Sequence, residues 1–212
     1  MLEEISMEIY STSIMKDSEF LKLLKETNAI LNGHFILSSG LRSSTYLQCA
    51  KLLMHPQKTE LACRALAKKI KETKNFDVDM VLSPAIGGVI VGFEVAKQLA
   101  LPSIFLERNS SNQFELRRGF EIKESAKVVV VEDVITTGSS AHECVKIVNL
   151  HGASVKCVAS LVDRSTKKID FGCPFLSLLK LDMKTYSLDN LPDSLKNIPA
   201  VKPGSNKDTQ LQ

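Results

Sequence analysis

The sequence predicts an α/β fold, a doubly wound and mainly parallel sheet carrying a small N-terminal hood, and three observations lead there. From Gln57 onward short apolar runs alternate with amphipathic stretches, the pattern of strands covered by helices. Residues 128–131 are four valines in a row, too short for an ordinary helix and too apolar for a surface strand, so they read as a central strand buried on both faces. A small-residue turn at 83–88 and a polar loop at 136–140 stand where strands give way to helices. Adjacent parallel strands would bring both turns to one carboxyl edge of the sheet.

Residues 2–31 have a helical pattern, with Phe20, Leu21, Leu24 and Ile30 on one apolar face and Asp17 or Ser18 as the cap. They precede the alternation and contribute to a hood of about residues 1–50 over one end of the core. Residues 33–46 alternate weakly and then turn, as a short strand and a polar loop would. Residues 57–73 form a helix with Leu61, Leu66, Ala67 and Ile70 inward and lysines outward. A strand at 78–82 then turns tightly into a helix at 89–99. Another strand, 103–106, leads into residues 107–113, which are polar and aperiodic and predict a mobile loop, with 116–122 returning as an extended arm. After the valines, Ala141, Cys144, Val145 and Val148 mark a helix. Residues 154–162 are a further strand, ending in Asp163 and Arg164, and 176–181 an edge strand. Past Asp189 the chain is rich in Pro, Asn, Ser and Lys, so 1–200 reads as a single domain and 201–212 as a flexible tail.

The 212 residues suffice for one well-buried domain, and 44% hydrophobic composition is that of a globular protein. With 27 basic and 24 acidic residues the formal net charge is +3, a balance that argues against general nucleic-acid binding but allows a local basic pocket. Cysteines stand at positions 49, 63, 144, 157 and 173, an odd number with no C-x-x-C and no histidine spacing. They read as small buried hydrophobes in a reducing compartment rather than as disulfides or a zinc site. Glu3, Glu4 and Glu8 make the N-terminus unlike a targeting peptide. No apolar run approaches the ~20 residues that span a bilayer. A cytoplasmic protein without membrane partners is expected.

The chemistry concentrates in residues 128–140, VVVVEDVITTGSS. Glu132 and Asp133 are read as leaving the strand together, and Thr136, Thr137, Gly138, Ser139 and Ser140 lead into the helix. Amides at a helix N-terminus, a glycine allowing close approach and several hydroxyls suit a phosphate dianion. The two carboxylates would repel phosphate and suit a sugar diol instead, so the implied ligand is a ribose 5-phosphate. The turn Ser83-Pro84-Ala85-Ile86-Gly87-Gly88 lets backbone amides approach a second anionic group, although alone it could be a plain strand-to-helix connection. Arg108, Arg117 and Arg118 on the polar loop read as lid cations or as surface charge. Arg164, at a strand's carboxyl end, could clamp a carboxylate or pair with Asp163. There is no G-x-x-x-x-G-K-[ST] and no G-x-G-x-x-G.

The run VVVVEDVITTGSS resembles the phosphoribosyl pyrophosphate (PRPP) signature of type I phosphoribosyltransferases. GHFILSSGLRSSTYLQCAKLL, SPAIGGVIVG, ERNSSNQFELRRGF and SLVDRS, taken with it in order over roughly residues 33–165, resemble the orotate phosphoribosyltransferases. That resemblance implies a type I phosphoribosyltransferase-like sheet and transfer of the phosphoribosyl group from Mg²⁺-bound PRPP to orotate. The products would be orotidine 5′-monophosphate and pyrophosphate.

By the same resemblance PRPP is held by Glu132, Asp133, Thr136, Thr137, Gly138, Ser139 and Ser140, by Ala85, Ile86 and Gly87 at the diphosphate, and by Arg108 and Arg117. Asp133, Glu132 and Arg118 take the catalytic roles, and Thr136, Arg164, Ser39 and Tyr46 meet orotate. Mg²⁺ is held mainly by substrate oxygens, with no dedicated protein ligand. A homodimer is implied in which one subunit's loop reaches its neighbour's site. The chain departs from many members at Gly87 and Ser38, where they carry lysine, and in a loop whose only cations are Arg108, Arg117 and Arg118. Rival readings are a purine or other base phosphoribosyltransferase and a PRPP-sensing regulator.

Overall fold

The computed structural model describes residues 15–37, 39–74 and 76–203. Helix α1, Asp17–Glu26, buries Phe20 and Leu24, and the Lys16 amide donates to the Glu19 carboxylate at 2.7 Å. The helix is shorter than its apolar pattern suggests. Asn28 turns left-handed at φ 52°, which stops the helix, and Ile30 and Leu31 open a strand instead. The part of the expected helix before Met15 lies outside the described residues.

The hood is a four-stranded sheet made from both ends of the chain. Strand β1, Ile30–Ile36, pairs antiparallel with β2, Arg42–Leu47. Strand β9, Thr185–Tyr186, adds to β2, and β10, Ala200–Val201, adds parallel to β1. Residues 201–203, expected within a flexible tail, are therefore ordered: the open edge of β1 supplies the pairing, and His34 Nδ1–H donates to the Ile198 carbonyl at 3.0 Å. The rest of that expected tail lies outside the described residues.

Helices α2, Ala50–Leu53, and α3, Pro56–Lys71, lead into the main sheet. Strand β3, Met80–Pro84, is followed by α4, Gly87–Leu99, β4, Ser103–Arg108, and β5, Phe114–Leu116. Next come β6, Lys127–Ile135, α5, Ser139–Leu150, β7, Ser154–Asp163, β8, Phe175–Lys180, and the short α6, Asp193–Lys196. The order is β5-β4-β3-β6-β7-β8, parallel throughout except for β5. Winding reverses between β3 and β6, and at such a switch point the carboxyl ends of the strands leave a crevice.

The four valines explain the double winding. Val128 and Val130 pack with Ala141, Cys144 and Val148 of α5 on one face, while Val129 and Val131 pack with α3 and α4 on the other. All four are fully buried, each contributing roughly 1.5–3 kcal/mol. Strand β6 continues past them, pairing with β7 at Glu132↔Ser160 and Ile135↔Asp163. Glu132 and Asp133 thus lie within the strand rather than beyond its end.

The expected mobile loop is the tip of an antiparallel hairpin, with Leu106↔Leu116 and Arg108↔Phe114 in register. The Asn109 side chain accepts the amides of Ser111 and Gln113 at 2.9 and 3.0 Å, closing the turn with local polar contacts that leave no apolar period to read. No helix among the described residues is long and apolar enough to cross a membrane.

Candidate active site

The geometry of residues 136–140 follows from one glycine. Gly138 caps α5 with φ 78°, and a Cβ there would come within 3.0 Å of Ile169 and Phe171, so both backbone and packing demand glycine. Thr137 and Ser139 hydroxyls lie 2.8 Å apart, exposed at the mouth of a helix whose first turn carries no acid. Ser140 follows, half-buried in that turn.

The adjacent acids face opposite ways, as period-two alternation requires. Asp133 lies on the α4 side, where a Cβ on Gly87 would fall 2.7 Å from its Oδ1. Glycine at this position lets the start of α4 close onto the carboxylate. Burial raises the Asp133 pKa. Glu132 points toward α5 and is 7% exposed. Burial, then the charge of Asp133, pushes it up to about 8, and its field in turn reaches Cys144. The two acids do not converge as a pair on one pocket.

Between the hood and the ends of β6 and β7 lies a cavity of about 460 Å³, a volume suited to a small ligand. Asp133, Thr136, Thr137, Arg164, Ser39 and Tyr46 all line it. Arg164 enters from the end of β7, where its amide donates to the Ile135 carbonyl at 2.7 Å. Its Nε is buried without a hydrogen-bond partner. Burial lowers the Arg164 pKa, with Tyr46 acting the other way. An unpaired guanidinium donor at a cavity wall calls for an anionic oxygen.

Residues flanking Arg164 are clamped from behind. Lys180, at the end of β8, donates to Asp163 at 2.9 Å, to the Ser165 hydroxyl at 2.8 Å and to the Ser165 carbonyl. Asp163 also accepts the Ser165 amide at 2.7 Å. Burial alone would raise the Asp163 pKa, but the Lys180 and Ser165 bonds outweigh it and hold it below the usual carboxylate value. Lys180 was not singled out from the sequence, because its role depends on the Asp163↔Lys180 register. Nor were Cys49, Met183 and Lys202, which line the cavity. Only Lys202 among these carries a charge, and its low-complexity surroundings masked it.

The remaining predicted residues lie elsewhere. Ala85, Ile86 and Gly87 form the β3–α4 turn, with a cis peptide between Ala85 and Ile86. Arg108 pairs with Glu143 of α5 at 3.0 Å and lies over the Phe114 ring at 3.8 Å. Arg118 donates to both oxygens of Glu107 at 2.8 and 2.9 Å, and Arg117 stands 3.7 Å from Glu115. None of the three lines the cavity. Cys49, Cys63, Cys144 and Cys157 are buried free thiols, pushed up in pKa by that burial.

Comparison with known proteins agrees with this architecture. Residues 51–184 match the model of the phosphoribosyl transferase domain. The orotate phosphoribosyltransferase of Caldanaerobacter subterraneus subsp. tengcongensis is 46% identical over 193 residues, covering 91% of this chain and 100% of the relative. That of Carboxydothermus hydrogenoformans is 48% identical over 186 residues, covering 88% and 96%. Among solved structures, orotate phosphoribosyltransferase from Aeropyrum pernix superposes with a TM-score of 0.65 at 27% identity, covering 76% of this chain and 92% of that one. Adenine phosphoribosyltransferase from Thermoanaerobacter pseudethanolicus shares the fold, with a TM-score of 0.57 at 20% identity over 65% and 88% of the two chains.

Proposed function

We infer the reaction from one premise: this chain belongs to the phosphoribosyl transferase family, and within it to the orotate phosphoribosyltransferases. It transfers the phosphoribosyl group of PRPP to orotate, giving orotidine 5′-monophosphate and pyrophosphate, a step of pyrimidine nucleotide synthesis. The observation that supports this most strongly is the convergence of Asp133, Thr137 and the unpartnered Arg164 Nε on one cavity.

In this reading residues 136–140 cradle the 5′-phosphate with hydroxyls and the α5 N-terminus. Asp133 accepts the ribose hydroxyls and favours the positive charge that develops on the sugar as the diphosphate departs. Glu132, on the far face of β6, is kept protonated near neutrality by burial and the Asp133 charge, which leaves the ribose hydroxyls to Asp133. The 85–87 turn at the start of α4 takes the diphosphate. Arg164 takes the orotate carboxylate, which adenine, hypoxanthine and uracil lack, with Tyr46, Thr136 and Ser39 around the ring.

No group of three or more His, Cys, Asp or Glu side chains that could hold a metal occurs among the described residues. Among the described residues that line the cavity, Asp133 is the single carboxylate. This donor set fits Mg²⁺ bound chiefly through PRPP oxygens, with Asp133 as the nearest protein acid. When bound, the ion would neutralise diphosphate charge.

The hairpin arginines fit a homodimer in which Arg108, Arg117 and Arg118 serve the neighbouring subunit's site. Ile86, Ile90 and Phe93 are 87%, 51% and 64% exposed along the side of α4 that adjoins the diphosphate turn, an apolar stripe suited to a second copy. The free, buried cysteines support a reducing, cytoplasmic location.

The test is direct. Purified protein with PRPP and Mg²⁺ is offered orotate, adenine, hypoxanthine and uracil separately, and base consumption and pyrophosphate release are followed. Orotate alone should be consumed. Use of another base would redirect the acceptor, and use of none would favour a PRPP sensor.

A further inference from the structure

We propose that Lys202, just past the C-terminal strand β10, is a substrate-binding residue whose ammonium holds an anionic oxygen of the bound substrates. The inference rests on the reaction proposed above and adds a residue to its site.

Register places Lys202 at the cavity. Strand β10 pairs parallel to β1 through His34↔Ala200 and Phe35↔Val201, so Lys202 follows on beside Ile36. Both residues line the cavity, as does Pro203. The bond from His34 to the Ile198 carbonyl ties the approaching segment to the hood. Core packing does not account for this strand: Ala200 is exposed and Val201 only half-buried. What the strand delivers to the cavity is a lysine.

Charge supplies the second argument. Among the described lining residues the charged side chains are Asp133, Arg164 and Lys202. The substrates bring a carboxylate and several phosphate oxygens into a cavity that already holds one acid. Beside Mg²⁺ and the α5 N-terminus, Arg164 and Lys202 are the cationic side chains of the described lining that meet this charge. The hairpin arginines contact Glu143, Glu107 and Glu115 rather than the cavity. A lysine, a compact charge on a flexible stem, can follow a carboxylate or a phosphate without the fixed geometry of arginine.

The experiment compares wild type, Lys202→Ala and Lys202→Arg, with KM measured separately for orotate and PRPP and with binding of orotidine 5′-monophosphate followed by calorimetry. Lys202→Ala should raise KM for at least one substrate about tenfold, the scale of a lost charge-assisted contact. Its kcat should stay within about twofold, product binding should weaken, and Lys202→Arg should restore most of the loss. A KM effect confined to orotate locates the contact at the carboxylate; one confined to PRPP locates it at a phosphate. Unchanged KM values and product affinity in Lys202→Ala, with unchanged Tm, would overturn the proposal. Absence of orotate turnover in wild type would instead overturn the reaction, while the product titration still reports on Lys202.

Discussion

Asp133 and Glu132 are neighbours in sequence, yet the strand assigns them different work. Asp133 stands at the cavity with Gly87 pressed against it. Burial already disfavours its charge, so Asp133→Asn should leave Tm unchanged or higher while lowering kcat by roughly 10²-fold, the scale of a lost transition-state charge contact. Steady-state kinetics and a thermal melt on the same preparation decide this. Glu132 permits a pH test. Its folded-state pKa of about 8 lies above the ordinary carboxylate value of 4.5, so the folded chain holds a proton that the unfolded chain has released. Stability from this group is full below the unfolded pKa. It falls by up to ~1.4 kcal/mol per pH unit as pH rises toward the folded pKa, then levels off. Glu132→Gln removes this dependence: its Tm advantage over wild type should be near zero at acid pH, grow through neutrality and plateau above about pH 8. Parallel Tm–pH curves for the two proteins would contradict it. That two adjacent acids stand at this strand was legible in the sequence, whereas their separation was not, because reading them as beyond the strand end removed the alternation that parts them.

At the level of elements, the chemistry of the loop between β7 and β8 depends on β8 itself. Lys180 holds Asp163 and Ser165 on either side of Arg164, and with both flanks held the arginine side chain is left to enter the cavity. Lys180→Met keeps the stem and removes the donor. Orotate KM should rise several-fold while PRPP KM changes little, and Lys180→Arg should recover part of the loss; equal increases for both substrates would mean a general loosening rather than aim. Arg164 was readable at the end of an apolar run, because strand ends in parallel sheets collect functional side chains. Lys180 was not, since pairing register between two strands cannot be read from either alone. The same holds for β2, whose RSSTYL lacks apolar alternation, and for β10, a two-residue strand that exists only because β1 has an open edge. The hairpin shows the converse failure. Its polar composition suggested mobility, but Asn109 and the Arg108–Phe114 contact give it a local structure that hydrophobic period cannot report.

For the whole molecule, the switch in winding between β3 and β6 brings the 85–87 turn and the 136–140 loop side by side, and hood residues from both parts of the chain line the cavity with Thr136 and Thr137. Alternating apolar runs made that sheet legible, since each strand must be buried on two faces. Nothing in periodicity speaks to a second subunit, but the structure frames a test. The hairpin arginines occupy ion pairs away from their own cavity, and an exposed apolar stripe begins at Ile86, in the turn proposed to take diphosphate. If Arg118 acts across a dimer, Arg118→Ala and Asp133→Asn damage different halves of a shared site. Each homodimer would be nearly inactive. Mixed after co-refolding, random pairing makes about half the dimers hybrid, each with one doubly damaged site and one intact site, so about a quarter of wild-type activity should return. Action within one subunit predicts no recovery at any mixing ratio. A charge placed on the stripe by Phe93→Asp should abolish the recovery and shift the protein toward monomer in sedimentation, because the hybrid site needs the same α4 face that presents Ile90 and Phe93.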